Sequence, residues 1–198
     1  MMKRNMAIVF GILLIFSALP LFAQAPPGPL QDDLYNWMIG NWEGTTESPM
    51  GKMNDEMEVD WDLEHQFIGI RYKSKTAETD PAKLEAMAKA MGMTKEQLQT
   101  PYKARGILTV NPQTKEYIGY WFGSFRDIML GKGVRDGNKI TMTWTDAAGT
   151  SVGTIEKADE NKMMMTFTRM DPQGKVVAEG AAISTLMRKA KKEKSGKS

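Results

Sequence analysis

The chain has 198 residues, with 26 Lys and Arg against 24 Asp and Glu, one histidine and no cysteine. That length suits a single domain with a sizeable core, and 41% hydrophobic with 25% charged residues is the balance of a globular chain, not a disordered or fibrous one. The missing cysteines exclude disulfide staples, thiol nucleophiles, zinc fingers and iron–sulfur clusters, and a single imidazole argues against a catalytic zinc site with its three protein ligands.

The charge is unevenly spread along the chain. Lys3 and Arg4 precede an apolar run over 6–22, broken by Pro20 and followed by Ala23-Gln24-Ala25. A basic start, an apolar stretch and a small-residue end predict a signal peptide over 1–25, cleaved after Ala25, and a periplasmic or secreted protein. The run is shorter than the roughly 20 residues a helix needs to span a bilayer, so no stable membrane span is expected after cleavage. Residues 26–30 are a proline-rich leader, stiff because proline fixes φ. Residues 188–198 hold six basic residues and one acid with no apolar period, and read as a basic disordered tail. Between these ends stand 18 basic and 23 acidic residues. An acidic body makes nucleic acid an unexpected partner.

Taken in order, the body opens with Asp32 and Asp33, carboxylates suited to a helix N-terminus, and with Leu34, Trp37 and Met38 on one helical face. Gly40 ends this short helix. From 53 to 64 the even positions are Asn54, Glu56, Glu58, Asp60, Asp62 and Glu64, while the odd ones are Met53, Asp55, Met57, Val59, Trp61 and Leu63. Such alternation predicts a half-buried strand. After a tight turn near His65, Ile68, Ile70 and Tyr72 alternate with Arg71, Lys73 and Lys75. One antiparallel register satisfies both faces: Met57, Val59, Trp61 and Leu63 beside Ile68, Ile70 and Tyr72, and acids against bases.

Asp80-Pro81 is an N-cap with proline at the first helical position, and Leu84, Met87, Ala88 and Met91 share a face. Gly92 breaks that helix, and the capping box from Thr94 to Gln97 starts a second. This pair forms a helical insertion over 80–101. Strands follow at 105–110, 117–124, 127–135, 139–145, 151–157, 162–170 and 175–187, separated by turn signals such as Asn111-Pro112 and Asp136-Gly137. The predicted fold is mainly β: a barrel of about ten antiparallel up-and-down strands over residues 31–187, with a short N-terminal helix and a two-helix insertion.

Two segments carry a family resemblance. Gly40-Asn41-Trp42-Glu43-Gly44 resembles the opening of calycin-like barrels, the lipocalin, fatty-acid-binding and nitrobindin type. The run from Gly106 to Trp121, with Thr114, Tyr117 and Trp121 at fixed spacing, is similar to the central hairpin of an uncharacterised bacterial exported domain-of-unknown-function family with that G-x-W-x-G opening. A Phe-bearing strand near 164–170 and the pair Arg188-Lys189 complete the likeness, which covers roughly 31–189. It implies the barrel and supplies no activity.

No catalytic constellation is visible. Serines and threonines lack a histidine placed to activate them. The carboxylates from Glu56 to Glu64 face bases and read as a salt-bridged surface. No P-loop, dinucleotide fingerprint or calcium loop is present, and no cofactor or metal is implied. His65 in a surface turn offers nothing to haem. Met50, Met53 and Met57 read as methionine core filler, not a copper site. The remaining candidate is the barrel interior, lined by Trp42, Met57, Trp61, Tyr72, Trp121, Met142 and Trp144, with room beside Gly119 and Gly123. An aromatic and thioether lining suits a small apolar or amphipathic ligand bound without catalysis. The alternative is a cell-envelope protein-interaction module with a filled barrel. The 80–101 insertion would serve as a lid or an end plug.

Overall fold

Each strand alternates with period two between an outward face and an inward face that is largely apolar or small, and ten such strands bury their common face by closing on themselves. The computed structural model describes residues 27–48, 51–90, 92–147, 149–171, 173–175 and 182–190. The expected signal peptide, Met50, Met91 and the chain from 191 onward lie outside the described residues. Helix α1 (Asp33–Met38) leads into β1 (Gly40–Ser48), β2 (Gly51–Asp62) and β3 (Phe67–Thr76). Helices α2 (Pro81–Ala90) and α3 (Lys95–Gln99) then precede β4 (Tyr102–Val110), β5 (Tyr117–Gly123) and β6 (Ile128–Asp136). The chain ends through β7 (Lys139–Asp146), β8 (Gly149–Asp159), β9 (Lys162–Met170) and β10 (Ala182–Arg188). Each strand pairs antiparallel with its neighbours in sequence, and β10 pairs with β1 to close the barrel.

The β2–β3 register is the one both side-chain patterns require. Met57 lies opposite Tyr72, Val59 opposite Ile70 and Trp61 opposite Ile68, while Glu58 faces Arg71 and Glu56 faces Lys73. Leu63 departs from the expected pattern. It sits in the turn with φ 45°, followed by Glu64 and His65 also at positive φ, and is 65% exposed. Three residues in the left-handed region cannot continue a pleated ladder, so the apolar face ends at Trp61. Elements beyond the chain's own turn hold this loop: Leu30 N–H donates to the His65 carbonyl at 2.8 Å, and the His65 ring stacks 4.9 Å from that of Trp61.

The G-x-W-x-G opening has a physical reading at each position. Gly40 adopts φ 134°, a conformation that a side chain resists. Trp42, 1% exposed, packs in the core and donates its indole N–H to Met38 O at 2.8 Å. Gly44 sits at the β1–β10 seam, where a Cβ would fall 1.9 Å from the Thr185 carbonyl oxygen.

One end of the barrel is sealed by α1. Asp32 caps the helix, accepting from Tyr35 N–H at 2.9 Å, and also accepts from the Tyr117 hydroxyl. Arg135 of β6 reaches Asp32 and Asp33, Trp37 donates to Glu160 O at 3.0 Å in the β8–β9 turn, and Arg188 donates to Ile39 O at 2.7 Å. Leu34, Tyr35, Trp37 and Met38 thereby join Val59, Ile68, Leu108, Ile140, Met163 and Leu186 in one core cluster. At the other end, α2 and α3 bury Leu84, Ala88 and Leu98 against each other, a small cluster of their own beside the mouth. The capping box is formed, Thr94 Oγ1 accepting from Gln97 N–H and Gln97 Oε1 from Thr94 N–H. Strand β10 includes Arg188, and Lys189 pairs with Glu43 at 2.7 Å, so the folded body extends beyond residue 187.

Candidate functional site

The residues of the expected lining face inward but divide into two levels. Trp42, Met57 and Met142 are buried to 4% exposure or less within the closed core. Trp61 stands beside α1, its indole N–H reaching Asn36 Oδ1 at 3.3 Å. Tyr72, Trp121 and Trp144 pack on the core from the half that α1 does not cover. The room expected beside Gly119 and Gly123 is taken. A Cβ at Gly119 would lie 2.5 Å from Leu108 Cδ2 and 2.8 Å from Trp144 Cη2, and at Gly123 it would lie 2.0 Å from an Asp127 oxygen. Gly131 and Gly153 likewise give way to the Trp144 indole, and Gly106 to that of Trp121. These glycines make space for indoles of the chain itself, and the middle of the barrel is correspondingly filled.

Away from α1 the lining turns polar and aromatic. Trp121 donates its indole N–H to the Tyr102 hydroxyl at 2.9 Å, which in turn donates to Asp127 Oδ2 at 2.5 Å. The Tyr102 ring meets Tyr72 at 6.4 Å and Phe125 at 5.6 Å between centroids, and Tyr72 meets Trp121 at 5.9 Å. Arg169 donates to Asp146 at 3.1 Å across the β7 and β9 ends.

Asp55 is the residue sequence reasoning passed over. Its position on the otherwise apolar odd face of β2 was the available signal. The register sets it opposite Gly44 on one side and Ser74 on the other, facing inward with Met57 and Val59, and it is 2% exposed. Its Oδ2 accepts from Thr46 Oγ1, and Thr46 is 2.5 Å from Ser184 Oγ. Among the described residues Asp55 Oδ1 has no hydrogen-bond partner. Burial first, then the Asp55 charge, with a hydrogen bond between the two side chains, holds the Tyr72 hydroxyl protonated well above the usual tyrosine range. A buried carboxylate oxygen without a donor is costly.

Outside the barrel, a groove of about 340 Å³ runs over β1–β4 between Glu56, Glu58, Arg71, Lys73, Lys103 and Arg105. Arg71 is bound by Glu58 and Asp60, and Lys73 by Glu56 at 3.0 Å. The hydrogen bond from Arg71 lowers the Glu58 pKa and raises that of Arg71. His65 is exposed in its turn, and among the described residues no group of three His, Asp or Glu side chains is arranged to hold a metal. No helix of the described residues is long and apolar enough to cross a membrane.

A ten-stranded up-and-down barrel floored by a short helix is a calycin-like fold. It is similar to the S-type phycobiliprotein lyase CPES from Guillardia theta, with a TM-score of 0.54 and 11% identity over 81% of this chain and 93% of that one. A de novo designed fluorescence-activating β barrel matches with a TM-score of 0.39 and 14% identity over 80% of this chain and 100% of that one. No protein-family model matches the chain, and no curated protein matches it in sequence.

Proposed function

We propose that the protein is an exported, non-catalytic binder of a small amphipathic molecule, held in the half of the barrel away from α1. The observation that carries this reading is Asp55, an inward carboxylate at 2% exposure with one oxygen lacking a donor, next to the aromatic group of Tyr72, Tyr102 and Trp121. An apolar body would lie against these rings, and an N–H or O–H on the ligand would bond Asp55 Oδ1. The occurrence of this barrel in a phycobiliprotein lyase and the G-x-W-x-G resemblance to an exported family are in keeping with such a role. The experiment is displacement of two fluorescent probes, a long-chain amine and a fatty-acid analogue, from purified protein. The amine is expected to bind more tightly, and absence of binding by both would overturn the reading. Mass spectrometry of protein recovered from its host is expected to find Pro26 as the first residue.

The filled space around Trp144 favours a second reading, an envelope interaction module with a closed core. Failure of both probes, with the fold intact, selects it.

A further inference from the structure

The outer wall of the barrel has an apolar field with no covering element among the described residues. On β4, β5 and β6 the outward positions are Ile107, Tyr120, Phe122, Ile128 and Leu130, each between 37% and 63% exposed. The register makes them contiguous: Ile107 lies opposite Tyr120, Tyr120 opposite Leu130, and Phe122 opposite Ile128. Isolated exposed apolar residues are ordinary, but a joined set across three strands is the pattern of a surface that meets something.

The surrounding charge identifies the partner. Lys103 and Arg105 continue the outward face of β4, Arg126 lies in the β5–β6 turn, and Lys132 follows Leu130 on β6. Among the described residues Lys103 and Arg126 make no ion pair, Arg105 lies within the field of Glu58, and Lys132 has Glu116 at 3.8 Å. The outward face of this wall is thus basic although the body as a whole is acidic. We propose that the β4–β6 wall docks the protein onto an anionic lipid surface, with the aromatic and aliphatic side chains entering the interfacial region and the surrounding cations meeting headgroups. A convex barrel wall suits a deformable bilayer better than a shaped protein groove.

The absence of cysteine makes the test specific. In the full-length chain, Ile128→Cys places a single environment-sensitive dye on the wall, and Glu47→Cys places one on β1, five strands from β6 in either direction round the barrel. With vesicles of phosphatidylcholine and phosphatidylglycerol, the dye at 128 is expected to shift to the blue while that at 47 does not. Vesicles of phosphatidylcholine alone are expected to give a weaker response at 128. Lys103→Glu with Arg105→Glu is expected to weaken the anionic response by about fivefold or more for each cation removed. Equal responses at both sites, or a response indifferent to the charge reversals, would overturn the proposal. So would a blue shift at 128 without vesicles together with a dimer by light scattering, which would assign the wall to self-association. Loss of ligand binding in the barrel would leave these outcomes unchanged, and the Asp55 site is tested separately.

Discussion

The guanidinium of Arg188 lies 4.2 Å from the centre of the Trp42 ring, so the last residue of β10 covers the indole at the start of β1. The same guanidinium donates to Trp37 O at 2.5 Å and Ile39 O at 2.7 Å, carbonyls at the end of α1. One side chain therefore joins the barrel seam to the helix that seals the barrel. A cation at a helix C-terminus and over an indole face is favourable on both counts.

Arg188→Ala removes both hydrogen bonds and leaves two carbonyls short of donors. The expected loss is about 2–4 kcal/mol in denaturant unfolding. Arg188→Lys keeps the charge but loses the two-pronged geometry, and is expected to recover only part of that loss. Wild-type stability in the alanine variant would show that α1 is held by its apolar face alone.

The glycines of the barrel differ in what they face, and their alanine variants should rank accordingly. At Gly119 the nearest atoms are the side-chain ends of Leu108 and Trp144, which can shift, for an overpacking cost of about 1–3 kcal/mol. At Gly44 the obstacle is the Thr185 backbone carbonyl, which can move only by opening the β1–β10 seam. Gly44→Ala is expected to lower the thermal midpoint more than Gly119→Ala; the reverse order would mean that the seam is pliant.

Asp55→Asn keeps an acceptor for Thr46 but loses the charge. Binding of the long-chain amine probe is expected to fall about tenfold or more, the size of one charge-assisted hydrogen bond, with far-ultraviolet dichroism unchanged. Undiminished amine binding would remove Asp55 from the site.

Four of the chain's five tyrosines are held protonated in the folded state. Burial is the leading cause at Tyr35, Tyr72, Tyr102 and Tyr117, and it pushes Tyr117, with help from Asp32, up to about 12. A pKa raised on folding contributes stability that is fully present below the unfolded value of 10.0 and is lost as pH climbs through the folded value. Stability is therefore expected to decline from about pH 10 upward. Tyrosinate absorbance should rise late and together with unfolding. Early titration of all the phenols in folded protein would contradict the packing described for them.

Much of the architecture was legible in the sequence because it depends on short-range rules. Period-two alternation in Met53–Asp62 and Phe67–Thr76 admits a single register, since a one-residue slip would put Glu56 and Glu58 in the core. Capping residues placed α1 and α3 for the same local reason. The site was less legible. Trp42 and Met142 share an inward face with Tyr72 and Trp121, and periodicity reports the face, not the height along the barrel or what else fills the space.

Only closure of the barrel decided those matters. It brought Ser184 to Thr46 across 138 residues of chain, where the β1–β2 hairpin already sets Thr46 on Asp55, turning a lone acid in an apolar face into a buried polar cluster. It set the Trp144 indole over Gly119, Gly131 and Gly153, so that expected room became packed core. It also left Ile107, Tyr120, Phe122, Ile128 and Leu130 side by side on the outer wall, where the alternation of each strand alone shows no patch. Composition and alternation determine which side of a strand is buried, because that preference is a property of each residue in water. Which buried residue meets which is a property of ring closure, and here it separates the apolar floor under α1 from the polar cluster around Asp55.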